Sequence, residues 1–141
     1  MPGRPSATRR TVLRGAALTP VAGLGTAACS PLSGTTVAAT PTAPVELGAE
    51  NEVEQGGAKL YQDHNVVVSR SADGTLTAYS SVCTHGGCAM NKLDGTKLIC
   101  PCHGSRFDAT NGEVLRGPAS VNLPRLSVKA ENGKLVAGPA A

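Results

Sequence analysis

Two short segments rich in cysteine and histidine constrain this chain more than any other feature of its sequence. Residues 83–88 read CTHGGC and residues 100–105 read CPCHGS. They hold four of the five cysteines and two of the three histidines in the 141-residue chain. Thiolates and imidazoles at such short spacings are donors for zinc or for iron–sulfur clusters. The two segments therefore predict one metal centre, built from two loops that face each other.

The residue types leave a choice between a structural zinc site and an iron–sulfur cluster. One zinc ion takes four ligands, and a set of two cysteines and two histidines is chemically possible here. Four cysteines and two histidines are two more than such a site needs. A Rieske centre takes two cysteines on one iron and two histidines on the other, and each segment offers one cysteine and one histidine at short spacing. The donor set therefore favours a 2Fe–2S cluster over zinc.

Together the two segments resemble the Rieske iron–sulfur family, and specifically its high-potential branch with a disulfide. That branch is found in cytochrome bc complexes and arsenite oxidase small subunits, and the resemblance extends over residues 45–138. It implies that Cys83 and Cys100 bind one iron of a single 2Fe–2S cluster. It also implies that His85 and His103 bind the other iron. The function that follows from the resemblance is one-electron transfer.

The resemblance assigns roles to further residues near the cluster. Cys88 and Cys102 match the disulfide pair of this branch, which would hold the two ligand loops together. Ser105 matches a position whose hydroxyl donates to a bridging sulfide, and such a donor stabilises the reduced cluster and raises its potential. Residues 117–119 match a proline-containing loop that covers the cluster.

Two residues depart from the pattern of the bc-complex proteins. Phe107 stands where that branch often has a tyrosine whose hydroxyl donates to a ligand sulfur. Gly86 stands where those proteins often have a leucine that shields the cluster and packs at the quinol site. We therefore expect a lower potential and a more exposed cluster than in those relatives.

The body of the chain reads as short strands separated by turns. Candidate strands are residues 66–68, 76–79, 97–99, 126–129 and 134–136. Asp73-Gly74 and Asn132-Gly133 separate two pairs of them and are typical of β-hairpins. No window of eleven or more residues has helical periodicity. The sequence predicts an all-β, Rieske-type fold of antiparallel sheets, with a small cluster-binding subdomain over about residues 81–120 at one tip.

The segment 1–28 resembles an export signal. It holds four arginines and no acid, and Arg9-Arg10 followed by valine and leucine resembles a twin-arginine signal. The apolar run that follows, residues 15–28, is shorter than the roughly 20 residues of a spanning helix. Small residues before Cys29 resemble a bacterial lipobox, which predicts a lipid on Cys29. Ordinary cleavage near Ala28 and an uncleaved anchor are the alternatives.

Residues 29–44 are rich in serine, threonine, proline and alanine, which predicts a flexible tether before a Rieske domain over residues 45–141. From Cys29 onward the chain carries nine basic and ten acidic side chains, a net charge of −1. That balance gives no indication of nucleic-acid binding.

These expectations combine into one function and two alternatives. The first is one-electron transfer at the outer face of the bacterial cytoplasmic membrane, by a carrier or small redox subunit rather than a self-sufficient enzyme. Its partners would be a redox protein such as a cytochrome or an oxidase subunit, or quinol, and the membrane through a lipid or signal anchor. The second is the iron–sulfur subunit of a quinol–cytochrome c reductase. The third is a non-redox module whose cluster is structural or a sensor.

Overall fold

The computed structural model describes residues 38–140. The export signal, Cys29 and most of the tether therefore lie outside the described residues. The strands are β1 (Val45–Ala49), β2 (Ala58–Tyr61), β3 (Val66–Arg70), β4 (Leu76–Ser80), β5 (Lys92–Asp94), β6 (Lys97–Ile99), β7 (Arg106–Asp108), β8 (Val114–Arg116), β9 (Arg125–Glu131) and β10 (Lys134–Gly138). Short 3₁₀ turns occupy Glu50–Glu52 and Gln62–His64. No helix among residues 38–140 is long and apolar enough to cross a membrane.

The strands form two antiparallel sheets, which confirms the all-β prediction. The larger sheet has the order β1-β10-β9-β4-β3-β2, and the smaller has the order β5-β6-β7-β8. The chain leaves the larger sheet after β4, builds the smaller sheet, and returns as β9 beside β4, with Tyr79 opposite Arg125. The smaller sheet is thus an insertion between two neighbouring strands, and it lies within the segment predicted to bind the cluster.

Turn chemistry explains why the predicted hairpins form. Asn132 and Gly133 both have positive φ, at 52° and 77°, and join β9 to β10. Two successive residues in this conformation match the twist of the flanking strands, and an Asn-Gly pair adopts it at low cost. The turn between β3 and β4 likewise contains Gly74 at a φ of 89°.

Strand β3 is buried on both faces, which accounts for its run of three valines. Val67 packs in the apolar core of the smaller subdomain, whereas Val66 and Val68 pack in the core of the larger sheet. All three are fully buried. Successive side chains of a strand point to opposite faces, so one strand serves both cores and fixes the subdomain against the sheet. The Val-Val-Val run is therefore the sequence signature of the junction between the two.

Folded contacts begin before residue 45, where the domain was predicted to start. The Asn65 side-chain amide donates a hydrogen bond to the Ala39 carbonyl at 2.9 Å. The Thr40 and Ser80 hydroxyls lie 2.7 Å apart. The end of the predicted tether is therefore held on the domain, close to the point where β4 runs into the first cysteine–histidine segment.

Candidate metal centre

The first loop, residues 81–91, joins β4 to β5. The Cys83 N–H donates to the Cys88 carbonyl at 2.8 Å, and the Gly87 N–H donates back to the Cys83 carbonyl at 2.9 Å. Gly87 has a φ of 77°, a conformation that glycine adopts without strain. These bonds close a tight loop with Cys83 at its base and His85 at its outer end.

The second loop, residues 100–105, joins β6 to β7 and repeats the same hydrogen bonds. The Cys100 N–H donates to the Ser105 carbonyl at 2.9 Å, and the Gly104 N–H donates to the Cys100 carbonyl at 3.1 Å. Gly104 has a φ of 76°, almost the value of Gly87. In each loop the cysteine bonds to the fifth residue after it, and a glycine four residues on closes the turn. This shared geometry explains why each segment has its glycine at that position.

The two loops bring Cys83 and Cys100 together as free thiols in the subdomain core. Both side chains are almost completely buried, and neither forms a disulfide. Burial raises the pKa of the Cys100 thiol, and the neighbouring Cys83 thiol raises it further, against backbone hydrogen bonds from Cys102 and His103 that favour the thiolate. Two adjacent buried thiols suit a bound cation, which would stabilise both thiolates.

The two histidines lie on the outside of the same centre. The ring centroids of His85 and His103 are 4.8 Å apart, and the ring planes meet at 84°. Both side chains are exposed. The four predicted ligands are thus two buried sulfur donors and two neighbouring exposed nitrogen donors.

A disulfide between Cys88 and Cys102 joins the two loops, as the resemblance implied. Its S–S distance is 2.06 Å, and it links residues 14 apart in the chain. The Cys100 sulfur lies within 4.8 Å of both disulfide sulfurs. Although these three sulfurs are grouped closely enough for a metal, the two in the disulfide are not thiolates and cannot serve as its ligands.

A third loop, residues 117–123, is tied to both ligand loops. The Ala119 N–H donates to the buried Ser105 hydroxyl oxygen at 3.0 Å, and the Thr84 hydroxyl donates to the Val121 carbonyl at 2.6 Å. Because Ser105 accepts this bond through oxygen, its own hydroxyl proton remains free to donate. Sequence reasoning found Ser105 but missed Thr84, whose only signal was a hydroxyl between two predicted ligands.

The two departures from the bc-complex pattern occupy different environments. Phe107 is fully buried and packs in the same core as Cys83 and Cys100. Gly86 is exposed, and a Cβ built on it would meet no atom within 4 Å. The space above the first loop is therefore open, and a larger side chain would fit there.

Comparison with known proteins identifies the family. The model of the Rieske [2Fe-2S] domain matches residues 43–127, and the chain belongs to this family. The cytochrome b6-f complex iron-sulfur subunit of Chlorobaculum tepidum is 38% identical over 93 residues, which cover 64% of this chain and 50% of that protein. The corresponding subunit 1 of Trichormus variabilis is 39% identical over 116 residues, covering 70% of this chain and 62% of that protein.

A solved structure of a Rieske protein resembles this chain in both fold and sequence. The cyanobacterial plasma membrane Rieske protein of Synechocystis PCC 6803 superposes with a TM-score of 0.51 at 31% identity, covering 66% of this chain and 97% of that one. By contrast, this chain spans about half the length of its Chlorobaculum relative.

The cofactor of this family is a Rieske 2Fe–2S cluster, and the residues of this chain fit it. Such a cluster takes two thiolates on one iron and two imidazoles on the other. Two free buried thiols beside two neighbouring exposed imidazoles supply that set. Family membership removes zinc as the alternative.

Replacing Phe107 with tyrosine is expected to raise the reduction potential by roughly 20–60 mV, the equivalent of one net hydrogen bond for a one-electron couple. The buried hydroxyl would need a partner, and Phe107 packs in the same core as the Cys83 and Cys100 sulfurs. Film voltammetry of the holoprotein would measure the shift. Phe107→Leu, which alters packing without adding a donor, is the control. An unchanged potential in Phe107→Tyr would rule out a missing hydroxyl bond as the reason for a low potential.

Proposed function

We propose that this protein transfers single electrons at the outer face of the cytoplasmic membrane, as a carrier or small redox subunit. In this proposal Cys83 and Cys100 hold one iron, and His85 and His103 hold the other. The observation that carries it is that the same two loops hold a pair of exposed, neighbouring imidazoles and two buried free thiols. A redox group held in this way has one insulated side and one side open to a partner.

The residues divide the work between them. The bound cluster supplies the one-electron chemistry. Cys83 and Cys100 keep the sulfur side of the site away from water, because both lie in the apolar core. His85 and His103 expose their rings, so a partner can approach this side of the site directly. The Ser105 hydroxyl, oriented by the Ala119 N–H, is left to donate toward the centre. The Cys88–Cys102 disulfide fixes the distance between the two ligand loops.

The iron–sulfur subunit of a quinol–cytochrome c reductase is the second candidate. The names of the relatives favour it, since those from Chlorobaculum and Trichormus are subunits of cytochrome b6-f complexes. The open space above Gly86 argues against it, because the bc-complex proteins often have a shielding leucine there. Phe107 likewise lacks the hydroxyl of the common tyrosine. We therefore place electron transfer to a redox partner protein ahead of quinol oxidation.

Export by a twin-arginine route and lipidation of Cys29 complete the proposal. Both rest on the sequence from Met1 to Cys29. Mass spectrometry of the mature N-terminus tests the lipidation. A mature chain that begins with a lipid-modified Cys29 is the expected result, and an unmodified N-terminus near residue 29 would reject the lipid anchor.

The reduction potential of the holoprotein, measured against pH by film voltammetry with parallel EPR, tests the proposed function. We expect a positive potential that falls as the pH rises, because adding an electron makes the centre more negative and so favours the uptake of a proton. A negative potential that stays flat across neutral pH would indicate a ferredoxin-like electron donor instead.

A further inference from the structure

The outer face of the smaller sheet carries one row of side chains that runs across all four strands. Lys92 of β5 lies opposite Ile99 of β6, Ile99 lies opposite Arg106 of β7, and Arg106 lies opposite Arg116 of β8. Directly opposite residues of antiparallel strands share one face of a sheet. The four side chains therefore form a continuous row, and the next row, which includes Leu98 and Phe107, points into the core.

This row lies at the end of the sheet that carries the metal centre. Ile99 immediately precedes Cys100, and Arg106 immediately follows Ser105. Arg116 immediately precedes the third loop. Any molecule that contacts the row is therefore adjacent to the loops that hold the cluster.

Three of the four residues in the row are cations, and they lack acidic partners among the described residues. We call Lys92, Arg106 and Arg116 the cationic row; all three are exposed. The ion pairs found among residues 38–140 involve other residues: Lys59–Glu52, Arg70–Glu50, Lys129–Glu131 and Lys134–Glu46. On the same face, Asp94 and Asp108 flank Lys97 in a separate row. This second row lies two residues further along each strand, away from the loops.

The cationic row is unfavourable for the fold by itself. Arg106 and Arg116 are direct cross-strand neighbours, and like charges in that position destabilise a sheet. Residues that lower the stability of the fold are expected at positions where function requires them. A register shift between Arg106 and Phe107 also leaves Leu115 outside the paired positions, and 49% of its surface is exposed. An exposed apolar residue beside unpaired cations is a composition found at protein interfaces.

We propose that the cationic row, together with Leu115, is a docking surface for an acidic redox partner protein. The inference rests on the proposed electron-transfer function and identifies the class of partner. Unpaired positive charge beside the cluster attracts an acidic surface and orients it during encounter. A partner seated on the row lies next to the ligand loops, where an electron leaves or enters. The overall net charge, which is slightly negative from Cys29 onward, gives no hint of this local reversal.

The test compares two acceptors that share one haem and differ in charge. Cytochrome c is basic, and the same protein with succinylated lysines is acidic. Stopped-flow oxidation of the reduced holoprotein at low ionic strength gives a rate constant for each. We expect Arg106→Gln/Arg116→Gln to slow oxidation by the acidic acceptor about tenfold, to leave oxidation by the basic acceptor unchanged or faster, and to lose this contrast in high salt.

The matched control is Lys129→Gln/Lys134→Gln, which removes two charges from the larger sheet. Its rate constants should stay within twofold of the unaltered protein. Equal slowing in both double variants would overturn the proposal, because net charge alone would explain it. The melting temperature of Arg106→Gln/Arg116→Gln should be unchanged or higher. A clear decrease would show that the two arginines stabilise the fold, and this would also overturn the docking proposal.

Two further outcomes can be distinguished from each other and from those above. If Arg106→Gln/Arg116→Gln keeps its rate constants but no longer binds phosphatidylglycerol vesicles, the row contacts lipid and the proposal is overturned. If the unaltered protein, shown by EPR to hold its cluster, passes electrons to neither acceptor, the proposed electron-transfer function fails. In that case the docking proposal fails as well. The unaltered protein is measured before the variants, so a failure of electron transfer itself is distinguished from a failure of the docking surface alone.

Discussion

Replacing Cys83 or Cys100 with serine, or His85 or His103 with alanine, is expected to abolish the Rieske spectrum of the protein. Each loop supplies one buried thiol and one exposed imidazole, so the loss of any one leaves an iron without its full set of donors. Metal ligands are also folding contacts, and we expect the cysteine variants to be recovered in lower yield. Visible absorption and EPR of each purified variant measure the outcome.

His64→Ala is the matched control for the histidine variants. His64 is the third histidine of the chain and ends the short 3₁₀ turn Gln62–His64. The ends of this turn contact the ends of the first loop, where the Ser81 N–H donates to the Asn65 carbonyl and the Gln62 side-chain amide donates to the Asn91 carbonyl. His64 itself stands in neither cysteine–histidine segment. This variant should keep the complete EPR signal. A complete signal in any of the four ligand variants would instead show that the corresponding residue does not bind iron, and the assignment in our proposal would have to change.

Replacing both Cys88 and Cys102 with serine is expected to lower the free energy of unfolding by about 3 kcal/mol, the value for a closed loop of about 15 residues. For a domain of this size the melting temperature should fall by roughly 10 °C or more. The cluster should still form, because no iron donor is removed, but it should be lost faster on dilution or warming. Circular dichroism follows the fold, and visible absorption follows the cluster.

The unaltered protein under reducing conditions is the control for this double variant. Reduction opens the Cys88–Cys102 bridge without changing the side chains around it, so both samples should melt at the same lower temperature. A double variant with the same melting temperature as the unaltered, oxidised protein would contradict a stabilising role for the bridge. A variant that never acquires the cluster would indicate that the bridge is needed to bring the loops together.

The sequence alone predicted the chemistry of the centre because that chemistry is local. Each ligand segment is short, its glycine follows from the hydrogen bonds that close the loop, and its cysteine and histidine are donors recognisable by residue type and spacing. The hairpin at Asn132-Gly133 was predictable for the same reason, since two residues determine the turn. Strands β1, β2, β5, β7 and β8 were not predicted. The last three have only three residues each, too few to show periodicity, although β6 has the same length and was predicted.

The tertiary structure decided the features that depend on register and on contacts between distant residues. Lys92, Arg106 and Arg116 are separated along the chain by strands and loops, and only strand pairing puts them in one row. The bond from Thr84 to Val121 likewise joins residues 37 apart. Cross-strand neighbours are set by loop lengths and by the register shift beside Phe107, which no local pattern encodes. The sequence by itself therefore determined which cofactor this protein carries, whereas the fold decided the surface that it presents beside that cofactor.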